Sequence, residues 1–173
     1  MSILSLVYAP AKILEEKAAE VKNIDSEVKK LVNNMFDTMY KNNGVGLAAP
    51  QVNESLQVIV MDCSSKNKES NPRVLLNPKI INQSDTCKEY EEGCLSFPDH
   101  YFSISRPDSL NVKFLDLEGN KKETFFSGFE AVCVQHEIDH LSGTLFTSYI
   151  SRLKRQIILK KMQKFKKNIN KSI

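Results

Sequence analysis

Histidine is scarce in this sequence: His100, His136 and His140 are the three it has. Tryptophan is absent, and the four cysteines, Cys63, Cys87, Cys94 and Cys133, stand far apart. That spread excludes the dense disulfide framework of a small secreted domain and leaves reduced thiols as the expectation. Six glycines and six prolines in 173 residues exclude collagen-like and low-complexity architectures. No apolar run approaches the ~20 residues that cross a bilayer. Residues 1–10 carry neither a basic leader nor a small-residue cleavage site, so the expectation is a cytoplasmic protein with no membrane partner.

What the chain does have is ordinary for one soluble domain: 41% hydrophobic and 26% charged residues, enough to bury a sizeable core. Its net charge of +3 conceals an asymmetry. Beyond residue 150 lie nine of the 24 basic residues and none of the 21 acidic ones, so residues 1–150 hold 15 basic against 21 acidic groups, a net of −6. The expected organisation is a single catalytic domain over 1–150 and a basic C-terminal helix and tail over 151–173.

Val28, Leu31, Val32, Met35, Phe36 and Met39 recur at helical spacing, which predicts a helix over Ser26–Lys41 with Asp25 or Ser26 as its cap. A strand is expected over 56–62, a polar turn over 64–72, and a second strand over 73–81, where Pro78 argues for an edge position or an irregular ending. Leu110, Val112 and Phe114 alternate with polar residues. A turn at Glu118-Gly119-Asn120 then leads to a return strand over 121–126, which together predict a hairpin. One helix is expected from Ser127 or Gly128 to near Gly143 and a last one over about 148–168. In that last helix Ile150, Leu153, Ile157, Met162, Phe165 and Ile169, widened by Ile158, form an apolar stripe for packing on the body. The fold class is therefore α+β: mixed or antiparallel strands around a central helix, with an N-terminal helix and a C-terminal basic helix.

That central helix carries His136-Glu137-Ile138-Asp139-His140, an H-E-x-x-H pattern. Roughly 0.004 such matches are expected by chance in a chain of this composition. Residues i and i+4 share a helix face, so both imidazoles reach one metal ion, and Glu137 beside them is placed to take a proton from a water on that ion. Phe129, Val132 and Cys133 lie on or near the same face and turn it inward, where two unpartnered histidines would be costly. A catalytic site needs a third ligand. Downstream of His140 there is no His, Asp or Glu, which argues against a zinc peptidase with a downstream ligand. The upstream candidate is Cys94 in Glu92-Gly93-Cys94-Leu95-Ser96, with Cys63, Cys87 and Cys133 left open by composition alone. Asp139 is expected to orient a neighbour, and His100 to be a surface loop residue.

Three segments, Gly44-Val45-Gly46-Leu47-Ala48-Ala49-Pro50-Gln51, Glu92-Gly93-Cys94-Leu95-Ser96 and Gln135-His136-Glu137-Ile138-Asp139-His140, resemble in order and spacing the peptide deformylase family, in its bacterial form with a C-terminal helix. The resemblance implies Cys94, His136 and His140 as metal ligands and Glu137 as general base and acid. It implies Gln51 and the Leu95 N–H as oxyanion donors. Backbone around Val45 and Gly46 would bind an extended peptide, with Glu92, Gly93 and Tyr101 at the substrate and Phe129, Val132 and Cys133 about an apolar slot. Tyr101 departs from the family pattern, where many relatives carry a basic residue. The implied cofactor is one divalent ion, ferrous iron in the cell, with zinc, nickel or cobalt able to replace it. The implied substrate is the formyl-methionine end of a newly made polypeptide, releasing formate. The expected partners are that nascent chain and, through the basic helix, the ribosome, with no DNA. The rival of a different class is a catalytically silent ribosome- or RNA-binding protein with a structural metal, which the presence of Glu137 disfavours.

Overall fold

The computed structural model describes residues 2–64 and 69–169. Its elements, in chain order, are α1 (Ser26–Lys41), β1 (Gly46–Ala48), β2 (Val58–Met61), β3 (Arg73–Gln83), β4 (Cys87–Cys94), β5 (Phe97–Pro107), β6 (Ser109–Leu115), β7 (Lys121–Ser127), α2 (Gly128–Leu141) and α3 (Arg152–Ile169). Residues 65–68, within the expected polar turn, and 170–173, within the expected tail, lie outside the described residues.

The fold is α+β. Five antiparallel strands run in the order β1-β2-β3-β6-β7, and β4 and β5 form a separate two-stranded hairpin. Strand β2 is buried throughout, and its side chains alternate between two cores. Val58 and Val60 face α1 with Val28, Val32, Met35 and Met39. Ile59 and Met61 face α2 with Ala131, Cys133 and Val134. The sheet is thus sandwiched between the two helices, and the H-E-x-x-H helix is packed against a rigid platform. The Asp25 carboxylate caps α1 by accepting from Glu27 N at 3.1 Å and Val28 N at 3.0 Å.

Of the two expectations for the strand holding Pro78, an edge position is excluded and an irregularity at the proline is found. β3 lies between β2 and β6, with its register shifting between Leu76 and Lys79. The bulge absorbs the proline's missing donor. Next to it Asn77, at φ 51°, turns its amide out to Val21, accepting from the N–H at 2.8 Å and donating to the carbonyl at 2.9 Å.

A third core joins the N-terminal segment (Ala9, Leu14), β5 (Phe97, Ile104), Phe146, and α3 through Ile158 and Met162. Burying a side chain such as Phe146 contributes about 3 kcal/mol. The last helix therefore packs on the body as expected, with two differences. Residues Phe146–Tyr149 form a 3-10 turn and α3 begins only at Arg152. Leu153 and Ile157, placed in the apolar stripe by spacing, are 69% and 48% exposed. No described helix is long and apolar enough to cross a membrane.

Candidate active site and metal centre

Gly128, at φ 57°, turns the chain from β7 directly into α2. That turn sets the phase of α2 so that His136 and His140 point one turn apart toward the β4–β5 hairpin, with ring centroids 5.0 Å apart. From the hairpin, a register shift between Gly93 and Cys94 turns the thiol out of the ladder. Cys94 Sγ lies 3.2 Å from His140 Nε2, and ligand atoms of Cys94, His136 and His140 all lie within 4.8 Å of one another. Among the described residues, no other group of three or more His, Cys, Asp or Glu converges in this way, so of the four cysteines Cys94 is the one placed with both helix histidines.

His136 is oriented from behind. Its Nδ1 donates to Glu92 Oε2 at 2.9 Å. Arg106 holds Glu92 by two bonds, Nε to Oε1 at 2.5 Å and Nη2 to Oε2 at 3.0 Å, and its Nη1 reaches Asp139 Oδ2 at 2.9 Å. The Tyr149 hydroxyl donates to the same Asp139 oxygen at 2.8 Å, and its ring lies 4.8 Å under the guanidinium. Glu92, expected at the substrate, lines the cleft, and its buried side chain lies behind His136, where its bond to Nδ1 fixes the orientation of the ring. Asp139 orients Arg106, as expected. Arg106 and Tyr149 were missed, because their partners lie 10 to 33 residues away and leave no local pattern.

The electrostatics follow from burial and these partners. Burial opposes the charge on Glu92, but His136 and Arg106 outweigh it and hold the carboxylate below its usual range. Burial would likewise pull His136 down, yet the Cys94 sulfur and the Glu92 carboxylate raise it well above its ordinary value. Burial, reinforced by His136, depresses His140 and keeps it neutral, the state a ligand needs. Glu137 is pushed up to about 7, chiefly by burial. Its Oε2 and His140 Nδ1 are buried with no hydrogen-bond partner among the described residues. One cysteine sulfur and two histidine rings around a single point, with the unpartnered Glu137 carboxyl beside them, fit a catalytic divalent ion with an open position.

Gly46 brings the backbone of β1 against this carboxylate; a Cβ there would lie 2.5 Å from Glu137 Oε1 and 2.8 Å from Cys133 Sγ. Gln51 is 1% exposed and fixed by the backbone three residues earlier: its Oε1 accepts from Ala48 N at 2.8 Å, which aims Nε2 toward Cys94 Sγ at 3.5 Å and Ser96 Oγ at 3.4 Å. A cleft of about 610 Å³ opens over these groups. Every residue expected at the site lines it except His140, which sits deeper. Val45, Tyr101 and Phe129 are its exposed rim, and Val132 and Cys133 its buried wall. A hydrogen bond to Cys63, with burial, raises the Cys133 thiol well above its usual value, so this wall is a neutral, apolar surface. His100 lies on the rim, its Nδ1 2.7 Å from the Pro98 carbonyl, away from the ligand cluster.

An α+β sandwich that presents H-E-x-x-H on a buried helix, opposite a cysteine from an adjoining hairpin, defines a hydrolase of the metal-dependent class. Comparison with known proteins narrows the class. The model of the polypeptide deformylase family matches residues 3–156. The peptide deformylase of Maricaulis maris is 45% identical over 168 residues, 97% of each chain. That of Afipia carboxidovorans is 47% identical over 164 residues, 95% of this chain and 96% of the other. The chain belongs to the peptide deformylase family, metalloenzymes that hydrolyse the N-formyl group from nascent peptides. Solved structures agree with the fold. The peptide deformylase of Ehrlichia chaffeensis superposes with a TM-score of 0.92 at 38% identity, covering 96% of this chain and 98% of that one. The enzyme from Plasmodium falciparum gives 0.87 at 37% identity, covering 95% and 98%.

Proposed function

We propose that this chain removes the formyl group from the N-terminal formyl-methionine of newly made polypeptides, with Glu137 as its proton-transferring base. The observation that carries this reading is the convergence of Cys94, His136 and His140 in one cleft with Glu137, Gln51 and the close-approaching Gly46. A divalent ion held by those three ligands would supply Lewis acidity and lower the pKa of a bound water. Glu137 accepts the proton of the attacking water and delivers it to the departing amine; a pKa near 7 suits a group that must do both. Negative charge develops on the formyl oxygen. The Gln51 amide, locked by Ala48 N, and the backbone N–H of Leu95 are donors for it that need no reorganisation. Backbone of Val45 and Gly46 on one side and Gly93 on the other holds the peptide extended, as an added strand. Val132, Cys133 and Phe129 take the methionine side chain. Ferrous iron is the proposed metal in the cell, and the cytoplasm the proposed compartment.

Selectivity tests this reading. Formate release from a formyl-Met peptide is expected, with acetyl release from the matching acetyl-Met peptide slower by at least about 100-fold, because a buried site of fixed volume penalises even an added methyl. Equal rates on the two peptides would refute it. Ribosome association through the exposed Lys160, Lys164 and Lys167 of α3 is a further proposal. Reversing all three charges should reduce co-sedimentation with ribosomes at low salt, and undiminished association would remove it.

A further inference from the structure

The catalytic cleft does not end at its rim. A second concavity of about 250 Å³ lies beyond it, lined by Asp99, His100, Tyr101 and Phe102 of β5 and by Lys154, Ile157, Ile158 and Lys161 of α3. Asp99, His100 and Tyr101 line both cavities. They are the wall the two share, and the chain geometry explains why. Tyr101 pairs with Gly93 while Phe97 pairs with Cys94, so the residues between, 98–100, are extruded from the hairpin as a bulge. Asp99 sits at its tip with φ 62°.

The far side of the second groove is built from one face of α3. Lys154, Ile157, Ile158 and Lys161 are three, four and seven residues apart, so they align along the helix. Ile158 is buried and anchors α3 to the core, whereas Ile157 is 48% exposed and Tyr101 is 64% exposed. Both large apolar side chains face a groove that the fold itself leaves open. Lys154 and Lys161 are exposed, and neither has an ion-pair partner among the described residues. The groove has an apolar floor, two unpaired cations on α3 against the single carboxylate of Asp99 on the opposite wall, and continuity with the active-site cleft; it matches an extended polypeptide bearing apolar and acidic side chains.

We propose that this groove is a distal substrate subsite. It receives residues of the polypeptide that have passed beyond the catalytic cleft, packing them on Tyr101 and Ile157, and Lys154 and Lys161 favour chains with an acidic residue there. The proposal rests on the deformylase reading, since that reading makes the occupant of the first cleft the end of a longer chain. It makes the C-terminal helix part of the substrate-binding surface.

The test moves a single Asp along a formyl-Met oligoalanine octapeptide and measures kcat/KM at each position, with a formyl-Met tripeptide as reference. Wild-type protein is expected to gain about two- to fivefold at one or two neighbouring positions past the third at low salt, the size of exposed ion pairs, and to lose the gain at high salt. In Lys154→Glu/Lys161→Glu the preference should invert to a Lys at the same positions, with tripeptide turnover unchanged. Ile157→Ser should lower kcat/KM for octapeptides carrying Leu in that region while sparing the tripeptide. A flat Asp scan, or a preference that survives charge reversal, overturns the subsite, including the case in which these lysines serve only a nucleic-acid backbone. Failure of the wild type to release formate from the tripeptide would instead overturn the deformylase reading.

Discussion

Replacing Gly46 with alanine adds one methyl group where the β1 backbone lies against the Glu137 carboxylate. The added Cβ would lie 2.5 Å from Glu137 Oε1 and 2.8 Å from Cys133 Sγ. To restore an ordinary contact near 3.4 Å the carboxylate must retreat by roughly 0.9 Å and the sulfur by roughly 0.6 Å. Both are buried, so the overpacking costs about 1–3 kcal/mol of stability. Displacing a reacting group by about 1 Å costs about 100-fold in rate. The expected outcome of Gly46→Ala is thus a folded protein with normal metal content and a kcat/KM about 100-fold lower, measured by formate release from a formyl-Met peptide and by urea unfolding. The double change Gly46→Ala/Cys133→Ala removes the sulfur contact and leaves the carboxylate contact. It should recover part of the stability and none of the activity. A kcat/KM for Gly46→Ala within about twofold of wild type would refute the placement of Glu137 against β1.

Arg106→Met leaves the buried Glu92 with His136 as its one remaining charged partner, so urea titration should show a loss of about 3 kcal/mol, the lower end for breaking a buried pair. Because Glu92 also orients His136, competition with a chelator should show metal affinity about 10–100-fold weaker, and unchanged affinity would disprove the orienting role. In metal-stripped protein Glu137 titrates near 7 when folded and near its usual 4.5 when unfolded. A carboxyl raised in this way opposes folding once the unfolded chain ionises. Wild type should therefore lose stability relative to Glu137→Gln as pH rises from about 4.5 to 7, by up to roughly 1.4 kcal/mol per pH unit. A stability difference that stays constant over that window would contradict the burial of an unpartnered carboxyl.

The parts of the fold that could be read in advance are those with local signatures. α1 has a helical apolar period and an Asp25 cap, and the β6–β7 hairpin has alternation and a Gly119 turn. The β4–β5 hairpin had neither. Cys87–Cys94 reads CKEYEEGC, an exposed, charge-rich strand, and its partner lies outside the main sheet. Pro78 signalled an edge or an irregularity, and only the tertiary pairing shows which: a bulge accommodates it inside the sheet. The exposure of Leu153 and Ile157 could not be read from spacing, since a stripe of period 3.6 does not say how wide a face the body covers. At the site, His136, Glu137 and His140 were visible because five consecutive residues on a helix carry them. Cys94 was the upstream candidate once no His, Asp or Glu followed His140, Gln51 and Gly46 came from resemblance, and all three line one cleft. The bond from Glu92 to His136 was not legible in the sequence, because it is held by Arg106, fourteen residues along the chain.

The central claim is that one ion sits between Cys94, His136 and His140 and that Glu137 moves the proton without holding the ion. It is tested most directly by purifying wild type, Glu137→Ala and Cys94→Ala without oxygen, then measuring bound metal and formate release on the same samples. The account predicts about one metal per chain in wild type and in Glu137→Ala, turnover lower by about 100- to 10,000-fold in Glu137→Ala, and loss of both metal and turnover in Cys94→Ala. Glu137→Ala with wild-type turnover, or Cys94→Ala with its metal and activity intact, would contradict it.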